Sequence, residues 1–173
     1  MFLQNLISQR IENNRPVKVA LIGAGKFGSM FLSQVPTTPG LEVVIIADLI
    51  PDNAKKACKN VGWNDDLISN AEFVDSGIKA ITKPEVDVVV EATGHPSAGI
   101  LHAREAFRNG KHIVMVNVEA DVLAGASLSK EAKSAGVVYS MAYGDQPALT
   151  AEIVDWARSS GFYVTAAGKG TKY

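Results

Sequence analysis

The chain has 173 residues, of which 47% are hydrophobic and 20% are charged, so it can bury one sizeable core and has the size of a single domain. Its formal charge of −1 provides no basic surface, and we therefore expect neither nucleic acid nor an anionic membrane as a partner. No apolar run reaches the roughly 18 residues that a membrane-spanning helix needs. The single cysteine, Cys58, excludes an internal disulfide, and we expect a small buried side chain in a cytoplasmic protein.

The first 15 residues are predicted to form a short amphipathic helix. Their apolar side chains recur at the 3.6-residue period of an α-helix, at Phe2, Leu3, Leu6, Ile7 and Ile11. Polar residues interrupt this segment and no basic leader precedes it, so it does not have the pattern of a signal peptide. Such a helix needs an apolar surface, which this domain or a further part of the protein would supply.

From Val17 onward, short β-branched runs alternate with helical stretches. The alternation is typical of βαβ units, and it predicts an α/β Rossmann-type domain over residues 16–173, with a doubly wound parallel sheet between two layers of helices. Strands are predicted at 17–22, 41–47, 86–91, 112–116, 137–140 and 162–167, with a short additional strand at 71–74. Helices are predicted at 27–35, 52–61, 97–109, 127–135 and 147–160, and the end of a further helix at 78–81.

A glycine turn of sequence G-A-G-K-F-G follows the first predicted strand. In this G-x-G-x-x-G spacing, the first glycine permits a tight turn, the second lets the backbone approach a pyrophosphate, and the third lets the helix pack closely on its strand. The phosphates would then lie at a helix amino terminus, where free N–H groups and the helix dipole favour anions. Because the motif lies between a predicted strand and a predicted helix, it indicates dinucleotide binding more strongly than the glycine spacing alone. The turn predicts a dinucleotide site formed by Gly23, Ala24, Gly25, Lys26, Phe27 and Gly28.

Asp48 indicates which dinucleotide is bound. It ends the second predicted strand, 20 residues after Gly28, where a carboxylate can hold the adenosine ribose hydroxyls. A carboxylate there repels a 2′-phosphate, and no arginine follows it, so NAD is favoured as the cofactor. Lys55 and Lys56, interpreted as solvated residues of the second helix, keep NADP possible.

Polar and small residues also follow the later strands, as E-A-T-G-H-P at 91–96, N-V-E-A-D at 117–121 and M-A-Y-G-D-Q-P at 141–147. Ligands of open parallel sheets bind beyond these strand ends. We expect the backbone of Ala92, Thr93 and Gly94 to approach the nicotinamide ribose, with the Thr93 hydroxyl able to donate a hydrogen bond.

The three histidines receive different interpretations. His95 lies at this edge and is a candidate general acid or base, although a loop histidine before proline more often has a steric or hydrogen-bonding role. His102, within a predicted helix, and His112, at the start of a strand, are expected to lie away from the site and to be structural.

Three segments resemble the amino-terminal NAD(P)-binding domain of homoserine dehydrogenase: V-A-L-I-G-A-G-K-F-G, V-V-V-E-A-T-G and N-G-K-H-I-V-M-V-N. Three others are similar to the homoserine-dehydrogenase-like oxidoreductases that carry a SAF domain, a group that includes proteins similar to deoxyxylulose phosphate reductoisomerase: G-K-H-I-V-M-V-N-V-E-A-D-V, G-D-Q-P and A-G-K-G-T-K-Y. The resemblance implies an NAD(P)-dependent oxidoreductase whose catalytic residues lie largely in a second domain, which this chain does not supply.

The resemblance implies that Asn117 faces the nicotinamide end of the cofactor. Homoserine dehydrogenase has a lysine after this asparagine, whereas here Val118 and Glu119 follow, so homoserine oxidation is not carried over as the reaction. Glu119 and Asp121, at every second position after Asn117, could orient a polar substrate, bind a divalent metal with groups from the absent domain, or cap the next helix, and both are candidate catalytic residues. Two carboxylates without a third ligand do not by themselves make a metal site, and no metal is assigned to this chain.

The expected function is hydride transfer between the nicotinamide and a small polar carbonyl or alcohol, with this chain binding the cofactor. An alternative is a regulatory module that senses the dinucleotide without chemistry, which the polar residues at three strand ends disfavour. A methyltransferase is also disfavoured, because the turn spacing and the position of Asp48 fit a pyrophosphate better. Apolar surface left uncovered by a missing domain would favour a homo-oligomer.

Overall fold

The computed structural model describes residues 3–144 and 146–168. The helices are α1 Leu3–Glu12, α2 Lys26–Gln34, α3 Pro51–Asn60, α4 Asp65–Asn70, α5 Gly77–Ile81, α6 Pro96–Arg108, α7 Val118–Ser134 and α8 Gln146–Ser159, with a 3-10 turn at Val35–Thr37. The strands are β1 Val17–Ile22, β2 Leu41–Ala47, β3 Glu72–Val74, β4 Val88–Glu91, β5 His112–Met115 and β6 Tyr139–Met141. None of the helices in the described part of the chain is both long and apolar enough to cross a membrane.

The six strands form one parallel sheet in the order β3-β2-β1-β4-β5-β6. The two halves of the sheet extend in opposite directions from β1, so the strand order reverses between β1 and β4. This reversal opens a crevice beyond the carboxyl ends of those two strands, which is where a doubly wound sheet binds its ligand. The fold confirms the predicted three-layer α/β Rossmann-type architecture.

The core lies on both faces of the sheet, as a buried parallel sheet requires. Alternate residues of β1 enter the two sides: Ala20 and Ile22 join one buried cluster, and Val19 and Leu21 join the other. Helices α5, α6 and α7 cover the first cluster, whereas α2, α3 and α4 cover the second. Cys58 lies fully buried on α3 in the second cluster, as expected.

The predicted amino-terminal helix forms, although Phe2 lies outside the described residues. It lies against the turn that precedes β2, because a Cβ atom added to Gly40 would stand 3.0 Å from Cγ2 of Ile7 and 3.3 Å from Cγ1 of Ile11. The positive φ of Gly40, 81°, also favours glycine in this turn. The helix therefore lies at the amino end of the sheet, on the opposite side from the crevice.

Two predicted elements were wrong. Residues 162–167 form no strand: among the described residues no strand pairs with them, and Phe162 and Tyr163 are 70% and 91% exposed. Helix α7 begins at Val118 and not at position 127, because Asn117 caps it by accepting a hydrogen bond from the Ala120 amide. The segment interpreted as polar residues after a strand is therefore the first turn of a 17-residue helix.

Candidate functional site

The glycine turn lies beside the carboxyl ends of β2 and β4. The amide of Gly23 donates to the carbonyl of Ala47 over 2.8 Å, and the amide of Ala92 donates to the carbonyl of Ile22 over the same distance. These bonds continue the ladder of the sheet beyond the strands themselves. The turn and the Ala92–His95 segment are thereby brought to the same end of the crevice.

The three glycines of the turn have three different surroundings. Gly23 has a φ of 96°, and a Cβ atom there would stand 2.8 Å from the Ala92 carbonyl oxygen. A Cβ atom on Gly28 would collide with the carbonyl oxygen of Gly23. No heavy atom of the described residues lies within 4 Å of a Cβ atom built on Gly25. Two glycines are therefore needed for packing within the protein, and the third leaves open space beside the backbone.

The open space at Gly25 is at the amino terminus of α2. Gly25 is the N-cap residue and provides no side-chain hydrogen bond to the helix. Lys26 and Phe27 begin the first turn and are exposed, and no acidic residue lies in that turn. Backbone N–H groups and the positive end of the helix dipole therefore face a surface that an anion can approach.

Asp48 lies directly beside this turn. Its Oδ2 atom accepts a hydrogen bond from the amide of Ala24 at 3.0 Å, and its Oδ1 atom accepts one from the amide of Ile50 at 3.1 Å. An ionised carboxylate has about four acceptor positions, so two such bonds leave capacity for the hydroxyls of a ribose. Asp48 therefore stabilises the glycine turn and still has acceptor positions for the adenosine ribose hydroxyls.

A buried polar cluster lies under the crevice at the end of β4. The Glu91 side chain is fully buried, and its Oε1 atom accepts a hydrogen bond from the Thr93 hydroxyl at 2.5 Å. Nδ1 of His102, on α6, lies 3.2 Å from the same oxygen. The other oxygen of Glu91, Oε2, is buried and accepts no hydrogen bond from the described residues. The hydroxyl hydrogen of Thr93 is thus directed into the protein and not toward a ligand.

Asn117 joins this cluster to α7. Its Nδ2 atom donates to the Thr93 hydroxyl oxygen at 3.3 Å and to the His95 carbonyl at 3.0 Å, while its Oδ1 atom caps α7. The residue is only 2% exposed. A Cβ atom on Gly99 would stand 2.7 Å from Nδ2 of Asn117, so α6 can approach this side chain only through a glycine. Asn117 lies at the predicted edge of the sheet, with its side chain bonded to the loop and the helix.

Glu119 and Asp121 do not follow Asn117 along an extended strand, because both belong to the helix α7. Neither side chain is the cap, which is Asn117; both are acidic residues of the first turn, where negative charge is favourable. Asp121 accepts a hydrogen bond from the hydroxyl of Tyr139 at 2.7 Å. Burial first, and then this bond, raise the pKa of the Tyr139 phenol above its usual range.

The three histidines also have distinct surroundings. His95 is exposed at the crevice, and its Nδ1 atom accepts a long hydrogen bond of 3.4 Å from the Ala98 amide at the start of α6. His112 Nδ1 accepts from the Val138 amide at 3.0 Å, as expected of a structural residue. His102 was predicted to be structural and to lie away from the site. It is structural, but its contact with Glu91 places it in the buried polar cluster under the crevice.

Glu91 was not predicted from the sequence to belong to the site. Its signal is a carboxylate at the end of V-D-V-V-V-E, in a strand otherwise suited to burial on both faces. A buried carboxylate requires a partner, and the partner could not be identified before the position of α6 was known. Within the described ranges, no cluster of three or more His, Cys, Asp or Glu side chains is arranged to hold a metal ion.

Comparison with known proteins agrees with this geometry. A family model described as an oxidoreductase family with an NAD-binding Rossmann fold, GFO/IDH/MocA, matches residues 17–143. A second model, the catalytic domain of oxidoreductase DRL, matches residues 144–173, although Asp145 and residues 169–173 of the G-D-Q-P and A-G-K-G-T-K-Y segments lie outside the described residues. A search of curated proteins found no match.

Similar solved structures include three enzymes. A homoserine dehydrogenase from Thiobacillus denitrificans is 23% identical, with a TM-score of 0.63, over 73% of this chain and 29% of its own. A myo-inositol dehydrogenase from Lactobacillus casei, in complex with NAD(H) and myo-inositol, is 21% identical, with a TM-score of 0.62. The match covers 82% of this chain and 42% of the dehydrogenase. A biliverdin reductase from a Synechocystis species, in complex with biliverdin and NADP+, is 22% identical, with a TM-score of 0.61. The match covers 73% of this chain and 37% of the reductase.

At these identities the solved structures support the fold alone, and this chain spans less than half the length of each of them. The family match covers most of the chain and confirms the expected cofactor class, a nicotinamide dinucleotide. The chain therefore belongs to the GFO/IDH/MocA oxidoreductase family, with an NAD-binding Rossmann fold.

Proposed function

We propose that this chain binds NAD across the carboxyl edge of β1 and β4 and presents its nicotinamide for hydride transfer to or from a small polar carbonyl or alcohol. One observation carries the proposal: Gly25 leaves open space at the amino terminus of α2, beside the Asp48 carboxylate. Pyrophosphate and ribose hydroxyls have the chemistry that these two features recognise.

The cofactor would extend from Asp48, past the glycine turn, to the ends of β4 and β5. Gly23, Ala24, Gly25, Lys26, Phe27 and Gly28 would surround the pyrophosphate. The backbone of Ala92, Thr93 and Gly94 would lie beside the nicotinamide ribose, since Thr93 and Gly94 are exposed and Ala92 is half-buried. Asn117 would hold this segment in place through its hydrogen bonds to Thr93 and His95.

The choice of NAD over NADP follows from charge. A 2′-phosphate on the adenosine ribose would approach the Asp48 carboxylate, which is already fixed by two backbone hydrogen bonds and cannot easily turn away. Leu49 and Ile50 follow it, and their exposed apolar side chains provide no opposite charge. NAD has only hydroxyls at that position and meets no such repulsion.

The substrate would be bound largely by residues outside this domain. The match of residues 144–173 to a catalytic domain supports this division, and so do the exposed apolar side chains of α8, Ile153 at 63% and Trp156 at 73%. The cofactor supplies the hydride chemistry.

One reaction that fits this proposal is the homoserine-dehydrogenase-like oxidation or reduction of a small polar substrate. His95, Glu119 and Asp121 are the residues of this chain nearest to such a substrate in our proposal, with Asp121 already bonded to Tyr139.

The proposal is tested by calorimetric titration of the purified chain with NAD and, separately, NADP at matched salt concentration. We expect binding of both to be detectable and NAD to bind more tightly. No binding of either dinucleotide would contradict the proposal. We also expect slow turnover with a panel of small hydroxy acids and sugar phosphates, and rapid turnover would contradict the proposed division between two domains.

A regulatory module that senses NAD is the alternative, and the titration alone does not separate it from an enzyme. The buried cluster under β4 favours the enzyme, because a sensor that reads only the adenosine half has no need for ordered polar groups at the other end of the crevice. Titration with ADP distinguishes them: NAD that binds no more tightly than ADP would favour the sensor.

A further inference from the structure

The fully buried Glu91 carboxylate under the crevice has a specific relation to Thr93. All of the hydrogen bonds that the Glu91 side chain makes with described residues are on Oε1, which accepts from the Thr93 hydroxyl and lies 3.2 Å from Nδ1 of His102. The Thr93 oxygen accepts hydrogen bonds from two other donors, so its own hydrogen is the one that lies between it and Oε1 of Glu91. The hydrogen of the Thr93 hydroxyl is therefore fixed in direction, toward the interior of the protein.

The direction of that hydrogen also determines which hydrogen bonds the Thr93 oxygen can accept. Its lone pairs point away from Glu91, and they accept from the His95 amide at 3.3 Å and from Nδ2 of Asn117 at 3.3 Å. One hydroxyl thus joins the end of β4, the start of α6 and the cap of α7. Thr93 itself is exposed, and among the described residues its hydroxyl donates to Glu91 alone.

We propose that Glu91 is a positioning residue for the nicotinamide half of the cofactor, acting through the Thr93 hydroxyl. Without an acceptor at Glu91, the hydroxyl can rotate, and the Thr93–Gly94–His95 segment loses one of its anchors. Ordering that segment then becomes a cost of binding NAD. The inference rests on the proposed binding of NAD and specifies what holds the nicotinamide end of that site.

The ligand pair NAD and ADP tests this, since ADP contains the adenosine and two phosphates but neither the second ribose nor the nicotinamide. Glu91→Met removes the acceptor and keeps an unbranched chain of similar length. We expect it to weaken NAD binding about tenfold, the equivalent of one lost hydrogen bond, and to leave ADP binding unchanged. Glu91→Gln retains an oxygen at the Oε1 position, and we expect it to restore most of the NAD affinity.

Thr93→Val provides a second route, because Thr93 is exposed and its replacement does not disturb the core. It should lower NAD affinity at least as much as Glu91→Met, because it also removes the acceptor of the bonds from His95 and Asn117, again without affecting ADP. In the double variant the two losses should not multiply, because both remove the same contact. If Glu91→Met does not fold, Thr93→Val measured against Thr93→Ser, which keeps the hydroxyl, still decides the question.

The results separate the two proposals. Wild-type protein that binds neither NAD nor ADP overturns the proposed function and this inference with it. Wild-type protein that binds both, with variants that lose NAD and ADP equally, overturns only the inference and assigns Glu91 a structural role. Losses that multiply in the double variant, or a Thr93→Val protein that binds NAD like the wild type, also overturn it.

Discussion

The Asp48 carboxylate accepts a hydrogen bond from the backbone amide of Ala24 at 3.0 Å, across the 24 residues that separate the glycine turn from the end of β2. The bond places a negative charge beside the amino terminus of α2 before any ligand is present. Asp48 therefore has a structural role in the turn in addition to its proposed role in recognising ribose, and a test of one must control for the other.

Replacing Asp48 with asparagine separates these roles. Asp48→Asn keeps one acceptor oxygen for the turn but removes the charge, so we expect the preference for NAD over NADP to fall by about tenfold, equivalent to about 1.4 kcal/mol. Asp48→Ala should weaken both dinucleotides through the turn, and NAD more than NADP. Calorimetry with each dinucleotide measures the ratio, and an unchanged ratio in both variants would show that the ribose assignment is wrong.

The second and third glycines of the turn should respond to alanine in different ways. A Cβ atom on Gly25 meets open space, and the backbone there, with φ −69°, suits alanine. Gly25→Ala should fold with a loss of less than about 1 kcal/mol, the cost of alanine at an N-cap, and yet bind NAD at least about tenfold more weakly. In Gly28→Ala the Cβ atom collides with the Gly23 carbonyl, and the free energy of unfolding should fall by about 1–3 kcal/mol.

Denaturant unfolding and NAD titration of both variants check this contrast. The Gly25 variant is the one that tests function, because its Cβ atom collides with no described residue. Normal NAD affinity in Gly25→Ala would mean that the backbone at this position does not approach the pyrophosphate.

The Tyr139 hydroxyl should contribute to stability through Asp121. Tyr139→Phe leaves a partly buried carboxylate without its donor, and we expect the free energy of unfolding to decrease by about 1–2 kcal/mol. The matched control is Tyr143→Phe, which removes a hydrogen bond of the same length, 2.7 Å, to the exposed Glu152. That control should change stability by less than about 0.5 kcal/mol. Equal effects in the two variants would contradict the structural role of the buried pair.

Cys58 should make stability fall at alkaline pH. Burial raises the pKa of its thiol to about 11 from an ordinary value of 9.0, so between these values the unfolded chain releases a proton that the folded chain retains. Stability is then lost as pH rises from about 9 to 11, by up to roughly 2–3 kcal/mol from this group. Unfolding measured at pH 8 and 10.5 in wild type and Cys58→Ala should show a steeper loss in wild type. Parallel losses would show that the thiol does not titrate in this way.

Local patterns were sufficient to predict most of the fold. Short β-branched runs such as V-K-V-A-L-I and a glycine turn of fixed spacing identify a Rossmann sheet without long-range information. The failures came where a decision depended on a neighbour. The F-Y-V-T-A-A segment has the composition of a strand, but a strand also requires an adjacent partner, and the described residues provide none.

The candidate site was predictable to the same extent. Gly25 and Asp48, the residues proposed to bind the cofactor, lie at positions set by strand ends, which the sequence reveals. By contrast, the hydrogen bonds of the Asn117 side chain to Thr93, His95 and α7 could not be predicted from the sequence. Glu91 was missed because its role depends on His102, a residue 11 positions away on another element. Buried polar contacts of this kind become visible only when the packing of the helices is known.

The central place of β1 also affects how the chain reaches this fold. Val19 pairs with Val43 on one side and with Val88 on the other, so one edge of β1 is completed after 24 residues and the other only after 69. Closing the longer loop carries the larger entropic cost and makes the second pairing slow. During synthesis, β1, β2 and β3 with their helices would emerge first, with the edge of β1 that later receives β4 still unpaired. This half of the crevice, which includes the glycine turn, therefore depends for its completion on a strand made much later.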